Sequence, residues 1–209
     1  MTKGVLDTPL LVGVEVTLRP MSAEDVDGLV AAAAESREHY GLSVVPDGRD
    51  AMRAYVDRFL KQREQGDRLP FVTLWRGRVV GSTSFIEPRI WDWPAGSDLQ
   101  RTDRPDYVEI GSTWLAASAQ RTRCNTEAKL LMLGHAFERW NVHCVLLKTD
   151  ARNDRSRRAI ERLGAHFDGV LRANMPAADG TVRNSAYYSI VASEWPTIKA
   201  RLESELTRR

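Results

Sequence analysis

Apolar positions change period several times along the chain, and each change marks an element. Val14 to Arg19 alternates as a short strand stopped by Pro20. Ser22, with Asp25 three residues on, starts a helix whose Val26, Leu29, Val30 and Ala33 form one stripe. Asp50 caps a second helix, where Met52, Tyr55, Val56, Phe59 and Leu60 recur at helical spacing until Gly66. Phe71–Trp75 and Arg78–Ile86 are β-rich runs joined at Arg76-Gly77, the pattern of an antiparallel hairpin. From Glu87 to Pro105 periodicity is lost among Pro, Gly and Asp around Trp91 and Trp93, which reads as a long loop within one domain.

Tyr107 to Leu115 returns to strand chemistry. A small, basic stretch leads to Cys124, and Leu130, Leu133, Gly134 and Phe137 define an amphipathic helix beginning near Thr126. His143–Lys148 is a further strand, Asn153 caps a helix bearing Ala159, Ile160 and Leu163, and Gly164 stops it. Strands at His166–Leu171 and Val182–Val191 precede a last helix with Ile198 and Leu202. This order predicts an α/β (α+β layered) fold with a mixed sheet and helices on both faces. We expect a single domain over 1–209, with its core at 14–193 and a terminal helix at 194–209.

With 209 residues, 43% hydrophobic and 28% charged, the chain has the balance of one soluble globular domain, which excludes disordered, collagen-like and coiled-coil classes. A net charge of +2 supplies no general field for nucleic acid. Cys124 and Cys144 are too few for a disulfide framework and too far apart for a zinc pair, so free thiols in a reducing compartment are expected. MTKGVLDTPLLVGVEV has no charged-then-apolar targeting pattern, and no run approaches a membrane span, so a cytoplasmic protein with no membrane partner is expected.

One turn carries candidate chemistry. Gln120-Arg121-Thr122-Arg123-Cys124-Asn125 joins a strand to a helix, where backbone N–H groups and the helix dipole meet an anion, and two arginines add charge. Thr122, Asn125 and Thr126 add hydrogen-bonding side chains, so the turn suits a phosphate or pyrophosphate; a solvated, capped turn is the alternative. Neither GxxxxGK[ST] nor GxGxxG occurs, which weakens kinase and dinucleotide readings.

Ile110-Gly-Ser-Thr-Trp-Leu-Ala-Ala-Ser-Ala-Gln-Arg-Thr-Arg-Cys-Asn-Thr-Glu-Ala-Lys129, then Lys148-Thr-Asp-Ala-Arg-Asn-Asp-Arg-Ser156 and Ile160-Glu-Arg-Leu-Gly164, resembles the GNAT N-acetyltransferases, and closely their ribosomal-protein-alanine acetyltransferase-like branch. Leu18-Arg-Pro, Tyr187-Tyr-Ser-Ile190 and Glu194-Trp-Pro196 also look like that branch, so the resemblance spans most of the chain. It implies acetyl-CoA held in a V-shaped opening between two splayed strands of a mostly antiparallel sheet. Pantetheine would pair near Ser112, Thr113, Trp114 and Leu115, and pyrophosphate would sit on Arg121, Thr122, Arg123, Cys124, Asn125 and Thr126, with Gln120 opening the turn. Arg123 and Asn125 stand where the family pattern has small residues, so Arg123 either folds outward to clamp a phosphate or blocks entry. Asn153 and Ser156 would contact pantetheine or an ordered water, or simply cap a helix.

The family transfers acetyl directly to an amine without an acyl-enzyme, so neither cysteine is expected to be a nucleophile. By resemblance a backbone N–H near Thr113 and Trp114 is the oxyanion donor. By period two, Glu109 shares a strand face with Tyr107, Gly111 and Thr113, and either accepts the amine proton or is an ordinary strand carboxylate. Ile160 occupies the position where many members carry a thiolate-protonating Tyr, which leaves Ser156 as the candidate and Tyr187 and Tyr188 as weaker ones. His39, His135, His143 and His166 lack metal-ligand spacing, and no metal is expected. Arg157 and Arg158 are weak candidates for the 3′-phosphate of CoA.

Glu87 to Glu109 carries a net −3 and Gln120 to Arg162 a net +5. That split fits an anionic donor on one side and a cationic amine acceptor, a peptide N-terminus or small molecule, on the other. Trp91 and Trp93 either form an aromatic lid over the acceptor or pack the loop onto the sheet. The branch also implies a homodimer. An acetyl-CoA-dependent N-acetyltransferase is therefore the principal reading, and a CoA-binding sensor or silent module the alternative.

Overall fold

The strand expected at Val14–Arg19 forms as β2 (Val16–Pro20), and a two-residue strand before it, β1 (Leu11–Val12), pairs with it antiparallel. The computed structural model describes residue 6 and residues 8–208; residues 1–5 and 7, within the stretch read for a targeting signal, lie outside the described residues. Ser22 donates its amide to the Asp25 carboxylate (2.7 Å), opening a 3₁₀ turn that runs into α1 (Val26–Ala34). α2 spans Gly48–Glu64 and begins two residues before the foreseen Asp50, with Asp47 as its N-cap.

β3 (Arg68–Trp75) and β4 (Arg78–Arg89) meet at Arg76-Gly77, where both residues take positive φ, 51° and 79°. Two left-handed residues give the turn whose twist matches a hairpin. After the loop from 90 to 106 come β5 (Tyr107–Leu115) and α3 (Cys124–Gly134), which continues as one π turn over His135–Arg139. β6 (Cys144–Asp150), α4 (Asp154–Arg162), β7 (His166–Pro176), β8 (Val182–Val191) and α5 (Trp195–Thr207) complete the chain. Asn153 caps α4 by accepting the Ser156 amide, and Gly164 ends it at φ 91°, both as the sequence predicts.

The eight strands form one sheet in the order β1-β2-β3-β4-β5-β6-β8-β7, antiparallel except for the β5·β6 pair. Neighbouring β4 residues show how the layers lie. The Ser82 hydroxyl bonds Tyr55 of α2 (2.8 Å), whereas Thr83 reaches Lys129 of α3 (3.0 Å), and successive strand side chains point to opposite faces. α1 and α2 therefore cover one face, and α3 with α5 packed against it covers the other. Phe71 and Phe85 stand edge-to-face in the core, their centroids 5.7 Å apart and both fully buried.

The parallel pair holds only over Tyr107–Glu109 against Cys144–Leu146. Beyond it, β5 pairs only with β4 and β6 only with β8, so the two strands part and leave backbone without a strand partner on each facing edge.

Candidate active site

β5 carries a bulge inside the splay: Ser112 has φ 50°, and the register with β4 slips between Ser82 and Ser84. The extra residue inverts side-chain alternation, which corrects the expected common face of Glu109, Gly111 and Thr113. Thr113 turns to the α3 side, where it accepts from Lys129, while Trp114 returns to the α1–α2 side beside Tyr40, ring centroids 6.2 Å apart. Ser112 is exposed, and its hydroxyl accepts from Arg68, whose guanidinium lies over the Phe59 ring at 4.0 Å. The Leu115 carbonyl is filled twice, by the Gln120 side chain (2.7 Å) and the Tyr40 hydroxyl (3.0 Å). On the facing strand Gly81 has φ 154°, and a Cβ there would come 2.1 Å from the Trp114 carbonyl oxygen, so only glycine lets β4 pass the bulge.

Arg121 takes the left-handed conformation (φ 59°) at the start of the basic turn. The Thr122 hydroxyl donates to the Ala119 carbonyl (2.7 Å) and accepts the Cys124 amide (3.1 Å). Among the described residues, the amides of Arg121, Thr122, Arg123, Asn125 and Thr126 have no protein acceptor. A turn of unpaired N–H groups running into a helix is a concavity for anionic oxygens. Arg123 does not face it. Its guanidinium donates to the carbonyls of Leu206 (2.8 Å) and Arg208 at the end of α5, which corrects the expected phosphate clamp. The Cys124 amide is likewise committed to Thr122, and burial pushes its thiol up to about 12. The Cys144 thiol is pushed up to about 11 by burial, so neither cysteine is a ready nucleophile.

On the α1–α2 side lies a cleft of about 350 Å³, lined by Glu87, Arg89, Trp91, Tyr107, Glu109, Leu146, Lys148 and Tyr187. Glu109 is 5% exposed and ion-paired to Lys148 (2.7 Å). A Cβ on Gly111 would come 2.7 Å from its Oε1, so the glycine gives the carboxylate its room. Burial pushes the Tyr107 hydroxyl well above its usual range, with the Glu109 charge adding to the effect, so it is a neutral donor.

Trp91 reaches this cleft and Trp93 does not line it. Trp91 stacks on His143 (5.6 Å, 17°), and Trp93 sets its edge against the same imidazole. Asp106, fully buried, ties the loop down: it accepts the Trp91 amide (2.8 Å) and the Arg101 guanidinium (2.7 Å). Burial alone would raise its carboxyl, but the Trp91 amide and Arg101 hold it below its usual value. The loop is thus packed and polar-anchored, with one tryptophan presented.

Ser156 opens α4 beyond the end of β6, half-buried, and its hydroxyl has no protein partner among the described residues. Tyr188 is fully buried, donating to Glu161 (2.9 Å) and accepting from Arg157 (3.0 Å), so both Tyr188 and Arg157 serve the packing of α4. Tyr187 faces the cleft instead. Sequence reasoning missed Lys148, a charge interrupting the apolar run of β6, and Lys129, which falls on the stripe shared with Met132, Leu133 and Ala136, all buried. Among the described residues no cluster of His, Cys, Asp and Glu could hold a metal ion, and no helix is long and apolar enough to cross a membrane.

The arrangement suits transfer between two partners: an elongated anionic donor laid through the strand opening onto the free amides, and an acceptor entering the carboxylate cleft. The model of the acetyltransferase (GNAT) domain matches residues 15–166. The chain belongs to this family. Among solved structures it is similar to one assigned as an acetyltransferase (32% identity, 95% of this chain and 94% of the other, TM-score 0.80). Another, from T. thermophilus and assigned likewise, shares 30% identity over 94% of this chain and 96% of the other, with TM-score 0.79. RimL, a ribosomal L7/L12 α-N-protein acetyltransferase solved with coenzyme A, shares the fold (TM-score 0.69, 88% and 98% covered) at 14% identity. No curated protein matches in sequence.

Proposed function

We propose that this protein transfers an acetyl group from acetyl-CoA to a primary amine on a peptide N-terminus or small molecule. The observation that carries the reading is the opening between β5 and β6, with five free amides on its α3 side and the buried Glu109 carboxylate on the other. The free amides fit pyrophosphate oxygens, and the unpaired edge of β5 fits an amide-bearing pantetheine arm. Acetyl-CoA supplies the activated acyl group. Glu109 receives the proton of the entering ammonium directly or through water, so that a neutral amine is presented. The β5 N–H groups past the bulge are donors for the thioester oxygen, and the Ser156 hydroxyl is the group available to the departing sulfur. The RimL complex with coenzyme A supports both the cosubstrate and an N-terminal amine as acceptor. The test is acetyl-CoA-dependent thiol release across peptides of varied N-terminus and a set of small amines; binding without turnover over the whole panel would instead mark a CoA-binding module.

Because Arg123 caps α5, Arg123→Ala is expected to leave the CoA dissociation constant within about twofold of wild type, with a stability loss of no more than about 1 kcal/mol. Calorimetric titration and urea unfolding measure the two, and a tenfold loss of affinity would return Arg123 to the donor site.

Charge steering narrows to two residues. Of the six acids from Glu87 to Glu109, four are ion-paired, with Arg89, Arg104, Arg101 and Lys148, which leaves Asp92 and Asp98. The double variant Asp92→Asn, Asp98→Asn should raise the acceptor KM several-fold at low salt and leave the acetyl-CoA KM unchanged. An unaltered acceptor KM would remove the steering role.

A further inference from the structure

Lys129 is the unusual buried group of this molecule. It lies on α3, 4% exposed, and among the described residues has no carboxylate partner. Its Nζ donates to the hydroxyls of Thr113 (2.6 Å) and Thr83 (3.0 Å), which are themselves 2.8 Å apart. The Thr83 hydroxyl lies 3.5 Å from the Gly111 carbonyl oxygen and 3.6 Å from the Met132 sulfur. The neighbours on β4 and β5 are neutral. On α3 the titratable group set against it is Cys124, itself uncharged, while Glu127 is turned to the amides of Val14 and Glu15. No ionised side chain of β1, β2 or α5 is set against it among the described residues. Burial without a counter-charge pushes the ammonium down to about 7.

For packing alone, an apolar side chain of similar length would serve this site at less cost. What the lysine adds is a hydrogen-bond chain: Nζ to Thr113, Thr113 to Thr83, Thr83 to the Gly111 carbonyl. Its two ends grip β5 on either side of Ser112, through the side chain of Thr113 and the backbone of Gly111. Ser112 is a non-glycine residue at positive φ with no strand on its β6 side, a conformation that persists only where its surroundings hold it.

We propose that Lys129 is the positioning residue of the β5 bulge, and through it of the N–H groups that receive the acetyl-CoA thioester. This rests on the acetyltransferase reading. The lysine does not touch the reacting atoms; it fixes from beneath the strand that does. As it loses its proton, Nζ exchanges an ion–dipole grip on two hydroxyls for a weaker neutral one, so the donor site loosens as pH rises through neutrality.

The test compares wild type with Lys129→Met, Thr113→Val and Thr113→Ser, each checked by circular dichroism, measuring the acetyl-CoA KM, the acceptor KM and CoA binding by calorimetry between about pH 6 and 9. Lys129→Met and Thr113→Val should each raise the acetyl-CoA KM about tenfold at pH 6.5 and leave the acceptor KM unchanged. Thr113→Ser, which keeps the hydroxyl, should stay near wild type. The gap between wild type and Lys129→Met should narrow above pH 7, as the wild type gives up its charge. Should Lys129→Met not fold, Thr113→Val decides. A folded variant of either kind whose acetyl-CoA KM matches wild type across this range overturns the inference alone, whereas a wild type that fails to bind CoA overturns the acetyltransferase reading with it.

Discussion

Glu109→Gln should lower kcat by about 10²–10⁴-fold, the usual scale for losing a positioned proton acceptor, with the acetyl-CoA KM nearly unchanged. The substitution keeps the shape of the side chain and a hydrogen bond to Lys148 but removes the charge that draws the proton. Glu109 lies beside the point where β5 and β6 part, on the face opposite α3, so its loss should be felt at the acceptor and not at the donor. Steady-state kinetics on the best amine of the panel decides it. A kcat within about threefold of wild type would reduce Glu109 to a strand carboxylate holding Lys148 in place.

Lys129→Met should make the protein more stable at pH 7 by about 1–4 kcal/mol, the range seen when buried charges give way to apolar side chains. The folded state holds this lysine at about 7 against 10.5 for an ordinary one, so between those values the unfolded chain binds the extra proton. Wild-type stability therefore rises as pH increases from 7 toward 10.5, and the advantage of the methionine variant shrinks along the same interval. Urea unfolding of both proteins at several pH values gives the difference curve, in which other titrations cancel. A variant less stable than wild type at pH 7, with a gap independent of pH, would mean that Lys129 carries no desolvation cost. Together with the kinetic test, the expected pattern is a protein gaining stability while losing its donor site, the exchange common at functional positions.

What the sequence made legible was local. The Arg76-Gly77 turn, the bounds of β5, the Asn153 cap and the Gly164 stop each follow from a residue acting on its immediate neighbours, and the family resemblance supplied the opening of the strands. What stayed hidden depends on distance or on a broken period. Ser112 is itself neither glycine nor proline, and Gly111 beside it marks an irregular strand without saying which residue turns, so the bulge that sends Thr113 to the other face was not foreseen. Arg123 finds its partners at Leu206 and Arg208, on a helix far along the chain, so its charge beside the turn gave the wrong destination. Lys129 counts as a surface charge in any composition, and only its place on the apolar stripe of α3 betrays the burial. Four of the six acids from Glu87 to Glu109 pair with bases, one of them with Lys148 from outside that stretch, which a net charge of −3 could not apportion.

The grip of Arg123 on the last carbonyls of α5 also ties two distant stretches of backbone together mechanically. The turn that offers five free amides is roped to residues 206 and 208, and whatever unwinds or displaces the end of α5, such as a fused tag or a trimmed helix, takes away the two carbonyls that hold the Arg123 guanidinium. Two preparations differing only past residue 205 therefore differ in what holds the Arg123 side chain beside the turn.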